Sequence, residues 1–276
     1  MSKAGLIALY AKELKLPAFT GYQAVIRQAT AEGWGYEEFL CALLSRESAN
    51  RKENQVARRI RAARFPLRKT LDEFQFTALP HVKEALVREL AIGEFIRRRE
   101  NILMIGNPGS GKSHLSIALG MSACTKGYSV RFFTAAGLVT SLSEAQNEKR
   151  LGRLLNELAK VNLLIIDELS YISFPRPNAE LLFQVISERC ERSSVIINSN
   201  LDFSRWEEIF GDRLLTAALV DRITFRSHIL NMNAESYRLK QQLKHSPASD
   251  QQFPDLKAVR KCSSAGRPSG ENATPS

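Results

Sequence analysis

The chain has 276 residues, 44% of them apolar and 25% charged, enough for one large core and a smaller appendage. No apolar run approaches the ~20 residues that a membrane-crossing helix needs, and Lys12, Glu13 and Lys15 break the N-terminal apolar stretch, so neither a membrane protein nor a signal peptide is indicated and the cytoplasm is the expected location. Four scattered cysteines, Cys41, Cys124, Cys190 and Cys262, lack the close spacing of a zinc or redox site and are read as thiols, while the net charge of +10 points to a polyanionic partner, nucleic acid before membrane.

Residues 1–66 read as a small all-helical N-terminal domain. Leu6, Ile7, Leu9 and Tyr10, then Tyr22, Val25 and Ile26, then Phe39, Leu40, Leu43 and Leu44 recur at helical spacing, with Pro17, Gly21 and Gly33–Gly35 as turn signals between them. The end of this region carries the densest basic cluster, Arg51, Lys52, Arg58, Arg59, Arg61, Arg64 and Arg68, which is the expected contact for DNA phosphates or a protein partner. The aromatics Trp34, Phe39, Phe65 and Phe74 are read as core rather than as base-stacking platforms.

From about residue 100 the pattern becomes α/β. Apolar runs at Asn101–Ile105, Ser129–Phe133, Val161–Ile166, Val195–Ile197 and Ile229–Met232 alternate with helical stretches, which predicts a five-stranded parallel sheet with flanking helices over residues 67–244. Residues 245–276 are rich in Ser, Pro, Gly and charge and are expected to be a disordered tail.

The first run leads into Gly106, Asn107, Pro108, Gly109, Ser110, Gly111, Lys112 and Ser113, which fit G-x-x-x-x-G-K-[ST]. In that pattern the loop N–H groups and the following helix N-terminus cradle the phosphates of ATP, Lys112 reaches the β- and γ-phosphates, and Ser113 joins the Mg²⁺ shell. His114, next in the chain, flanks the loop and is read as packing rather than catalysis. A second buried run ends in Asp167 and Glu168: Asp167 is placed to hold Mg²⁺ and Glu168 to polarise the attacking water. A third, SVIINSN, ends in Asn198, Ser199 and Asn200, which should face the same crevice.

Together, NPGSGKSHL, LLIIDELSYISF, NAELLFQVISERCERSSVIINSNLDFSRWEEIFGD, ALVDRITFRSHIL and MNAESYRLKQ resemble the IstB-type AAA+ ATPases that assist insertion-sequence transposases, relatives of the DnaC helicase loaders; RAARFPLRKTLDEFQF is similar to that family's junction into the ATPase core. The resemblance spans about residues 10–243. It implies a P-loop AAA+ core and an ATP-dependent homo-oligomer on double-stranded DNA that serves a partner transposase. It implies, too, that Asn200 is the sensor asparagine, Arg222 an arginine finger offered to a neighbouring subunit, with Arg213 its rival, and Arg238 a second sensor. Relatives often carry Gly where Ala234 stands. A helicase loader of the DnaC type is the alternative that the core motifs leave open.

Overall fold

Three helices open the described chain, which comprises residues 2–79, 81–170 and 173–233 of a computed structural model. Helix α1 (Lys3–Glu13) starts where Ser2 Oγ accepts the Gly5 N–H at 3.2 Å, and α2 (Tyr22–Glu32) stops at the left-handed Gly33. Helix α3 (Tyr36–Ala63) begins as the Glu38 carboxylate accepts the Gly35 N–H at 2.7 Å. Its 28 residues extend about 42 Å.

The three parts of α3 differ in surroundings. Its first part packs on α2 and on the turn Pro17–Gly21 through the buried Leu43 and Glu47, whose carboxylate accepts the Ala18 N–H and the Arg51 Nε–H. Residues 51–55 are exposed all round, as in a helix that bridges two packing groups through solvent. Its last turns join the core of the sheet: Ala63 is fully buried, Ile60 packs beside it, and Arg131 donates to the Ala62 carbonyl at 2.9 Å.

After α4 (Glu84–Ile92) and the short α5 (Glu94–Arg97), strands and helices alternate through β1 (Asn101–Ile105), α6 (Lys112–Thr125), β2 (Val130–Thr134), α7 (Ala135–Asn147), α8 (Leu151–Ala159), β3 (Leu163–Asp167), α9 (Arg176–Arg189), β4 (Ser194–Ser199), α10 (Glu207–Phe210), α11 (Arg213–Thr224) and β5 (Ser227–Asn231). The strands form one parallel sheet in the order β2-β3-β4-β1-β5, with Ile102 opposite Ile196 and Ile166 opposite Ile197, so the expected five-stranded α/β architecture is present. Side-chain alternation divides the core. Ile102, Met104, Ile165 and Ile196 face α6 and the end of α3, whereas Leu103, Leu164, Ile166 and Ile197 face α7, α9 and α11.

Central strands overlap their apolar runs because both faces are covered, although β3 starts at Leu163, two residues into its run, and β4 extends from Ser194 to Ser199. Edge strand β5 starts earlier than its apolar run, at Ser227 and His228, because one side of it meets solvent and ladder hydrogen bonds place no demand on side-chain polarity.

The amino ends of β3 and β4 are tied by a buried cation. Arg189, 3% exposed, donates to the carbonyls of Leu158 (2.6 Å), Val161 (2.9 Å) and Ser194 (3.2 Å), and burial lowers its pKa to about 10. A planar fork satisfies three carbonyls that a point-charge ammonium cannot reach together. Arg189→Lys should therefore lose about 1–3 kcal/mol of stability in urea unfolding; an unchanged midpoint would contradict this role.

Candidate functional site

Parallel strands deliver their carboxyl ends to one edge, and here that edge gathers the loop after β1, the end of β3 and the end of β4. Gly106 sits where the backbone of the chain after β5 crosses: a Cβ there would lie 2.3 Å from the Met232 carbonyl carbon. Gly111 has φ +95° and meets the Phe74 ring, so a side chain is excluded by both backbone and space. No side chain caps the first turn of α6, which leaves its N–H groups and the positive end of its dipole directed at the loop.

Lys112 is buried, and its Nζ donates to the Gly106 carbonyl at 2.6 Å and the Asn107 carbonyl at 2.8 Å. Desolvation lowers its pKa to about 8, partly opposed by the nearby Asp167 carboxylate. Ser113 is half-buried beside it. His114 places Nε2 2.9 Å from the Thr70 carbonyl and its ring edge-on to Phe74, so the imidazole anchors the segment before α4 to α6.

Asp167 is 6% exposed, and its Oδ1 accepts the Asn198 Nδ2–H at 2.9 Å and the Glu168 N–H at 3.0 Å. Glu168 is exposed in the left-handed region at φ +59°, a conformation that costs a non-glycine residue about 1–2 kcal/mol and turns the carboxylate off the strand. Asn200 lies two residues past Asn198 on the same parity, and its N–H is held by Ser170 Oγ at 3.1 Å. Ser199, on the other face, accepts the Leu201 N–H and contacts the Leu169 carbonyl, so it turns the chain instead of facing the crevice.

These groups line one cavity of about 330 Å³: the loop from Pro108 to Ser113, His114, Asp167, Glu168, Asn198 and Asn200. The other wall is a strap, with Leu67, Lys69, Phe74, Gln75 and Leu79, most of it in the segment that resembles the junction into the ATPase core. Phe74 was expected in the core, and it does pack against the core, but its ring also lines the cavity. No local signal marks the strap, since its place depends on where α3 ends.

Ser113 and Asp167 offer a hydroxyl and a carboxylate, hard oxygen donors that suit Mg²⁺ completed by phosphate and water. Among the described residues there is no cluster of three or more His, Cys, Asp or Glu that would make an all-protein metal cage.

The remaining expected residues lie elsewhere. Arg222 is exposed on α11, 5.9 Å over the Phe183 ring in a shallow hollow with Ser187 and Cys190; among the described residues it forms no ion pair, with Asp221 or any other. Arg213 is exposed at the start of α11. Arg238 and Ala234 lie outside the described residues. Of the basic cluster, Arg51 is engaged by Glu47 and the Lys15 carbonyl, whereas Lys52, Arg58, Arg61, Arg64 and Arg68 are exposed and Arg59 is half-buried.

Two outcomes follow from this geometry. A triphosphate competes with loop carbonyls for a Lys112 proton that is lost as pH rises through about 8, so nucleotide affinity, read by calorimetry, should fall between pH 7 and pH 9; a flat profile would contradict the assignment. Glu168→Gly relieves the left-handed backbone and should keep or raise the melting temperature. A lower melting temperature would show that Glu168 carries no strain.

A family model described as IstB-like ATP binding protein matches residues 9–245. A candidate ATP-binding protein of insertion sequence IS21 from Pseudomonas aeruginosa is 40% identical over 222 residues, 80% of this chain and 84% of that protein. The corresponding protein of insertion sequence IS5376 from Geobacillus stearothermophilus is 41% identical over 233 residues, 84% and 93% of the two chains. Among solved structures, AMPPCP-bound DnaA from Aquifex aeolicus is similar in fold, with TM-score 0.50 and 18% identity over 68% of this chain and 58% of that one. A DnaC helicase loader matches with TM-score 0.48 and 20% identity over 63% of this chain and 98% of that one. With its phosphate-binding loop between β1 and α6, the chain belongs to the IstB-like ATP-binding protein family.

Proposed function

We propose that this protein is an ATP-hydrolysing transposition helper that assembles with ATP on target duplex DNA, delivers it to a partner transposase and is reset by hydrolysis, in the cytoplasm. The observation that carries the reading is convergence: the uncapped start of α6, buried Lys112, and the Asp167 and Glu168 carboxylates open on one cavity. The insertion-sequence names of the relatives supply the biological setting.

Lys112 and the loop N–H groups hold the triphosphate. The strap residues Phe74, Gln75 and Leu79 offer an apolar and amide-bearing wall for the base. Mg²⁺, held by Ser113 and Asp167, would neutralise charge on the phosphates. Glu168 orients and polarises the attacking water, and Asn200 reports the state of the γ-phosphate. Arg222, exposed, free of ion pairs among the described residues and outside the cavity described above, supports a role in trans: its guanidinium is offered to the ATP of a neighbouring copy, and Arg238 acts as the second sensor. The exposed arginines at the end of α3 and Arg68 grip phosphates without reading bases.

The test compares binding to labelled duplex and single-stranded DNA, with and without ATP, at one fixed salt concentration. Cooperative, ATP-dependent preference for duplex is expected, with Glu168→Gln forming a long-lived complex. Preference for single strands would replace this reading with a helicase loader of the DnaC type.

A further inference from the structure

A polar chain runs beneath the phosphate loop and connects the two residues assigned to the cation. Asn198 is 1% exposed near the carboxyl end of the central strand β4, where Ile196 precedes it on the same face and the buried Met104 of β1 lies opposite it. A carboxylate only accepts hydrogen bonds, so the amide nitrogen must face Asp167, and it does, at 2.9 Å from Oδ1. The second hydrogen of the same nitrogen goes to Ser116 Oγ at 2.8 Å, and Ser116 is fully buried. Ser116 in turn donates to the Ser113 carbonyl at 3.1 Å. The amide oxygen, Oδ1, is buried without a hydrogen-bond partner among the described residues, although Asn198 lines the cavity. A buried unpartnered acceptor is costly, typically about 1–3 kcal/mol, and is characteristic of a site where a ligand or water completes the network.

We infer that Asn198 and Ser116 are positioning residues that clamp Ser113 on α6 to Asp167 on β3, fixing the spacing of the cation's two protein ligands, with Asn198 Oδ1 left to accept from the cation's water shell. This rests on the assignment of Ser113 and Asp167 as those ligands. The clamp joins residues far apart in sequence, 116 and 198, through the shared edge of the sheet. Asn200, one residue past the end of β4 and lining the same cavity, has a separate task.

The test is a titration of Mn²⁺ into full-length protein saturated with a non-hydrolysable ATP analogue, free metal being read by electron paramagnetic resonance. Nucleotide affinity in EDTA and the melting temperature are recorded in parallel. Asn198→Leu should weaken Mn²⁺ binding about 10- to 100-fold while leaving nucleotide affinity in EDTA close to wild type. Asn198→Thr, which keeps one donor, should fall between. Ser116→Ala opens little space, keeps the proposal testable if Asn198→Leu does not fold, and should shift metal affinity in the same direction. Unchanged Mn²⁺ affinity in Ser116→Ala and Asn198→Thr, or an equal loss of nucleotide affinity in EDTA, would reduce the network to packing and overturn the inference. If wild-type protein with nucleotide binds no Mn²⁺ at all, the ligand assignment itself falls, and the clamp with it.

Discussion

Lys112 places a cation inside the protein, and the surrounding architecture is arranged to compensate it. An ammonium taken out of water needs acceptors, and here the two carbonyls of the phosphate loop supply them, while the nearby Asp167 carboxylate contributes its charge. That requirement fixes the curl of the loop, which only works if Gly106 can lie against the chain after β5 and Gly111 can turn with positive φ under Phe74. It also fixes the sheet: β3 must lie close enough for Asp167 to reach the same pocket, which the order β2-β3-β4-β1-β5 achieves by putting only β4 between β1 and β3. The side chain at the end of that intervening strand, Asn198, then meets Asp167 directly.

What the sequence made legible is what sterics and burial constrain locally. The glycines and Lys112 were readable because few residue types tolerate those positions, and β1, β3 and β4 because strands covered on both faces must be apolar throughout. Asp167 and Glu168 stood out as charges closing such a run. The strap residues Phe74 and Gln75 did not, because their place against the loop depends on the path of the chain after α3. The Asn198–Ser116 contact was half legible: two asparagines at even spacing in SVIINSN announce one polar strand face, but nothing local says that Ser116 waits opposite. β5 began earlier than its apolar run, as an edge strand can.

Helix α3 gives the molecule its second feature. One end of it belongs to the N-terminal helices and the other to the core of the sheet, where Ala63 is fully buried and Arg131 binds the Ala62 carbonyl. The strap begins where this helix stops, and His114 ties the strap to the first turn of α6 through the Thr70 carbonyl. Basic side chains and phosphate loop are thus joined by one continuous stretch of chain.

The proposed function requires Lys112 to hold a nucleotide triphosphate at the head of α6. Calorimetric titration of ATP into wild-type protein and into Lys112→Ala, at pH 7 in the presence of Mg²⁺, tests it most directly. Saturable binding by the wild type with one nucleotide per chain, lost or weakened at least tenfold in a folded Lys112→Ala variant, is the predicted result; equal affinity in the two proteins would contradict the account.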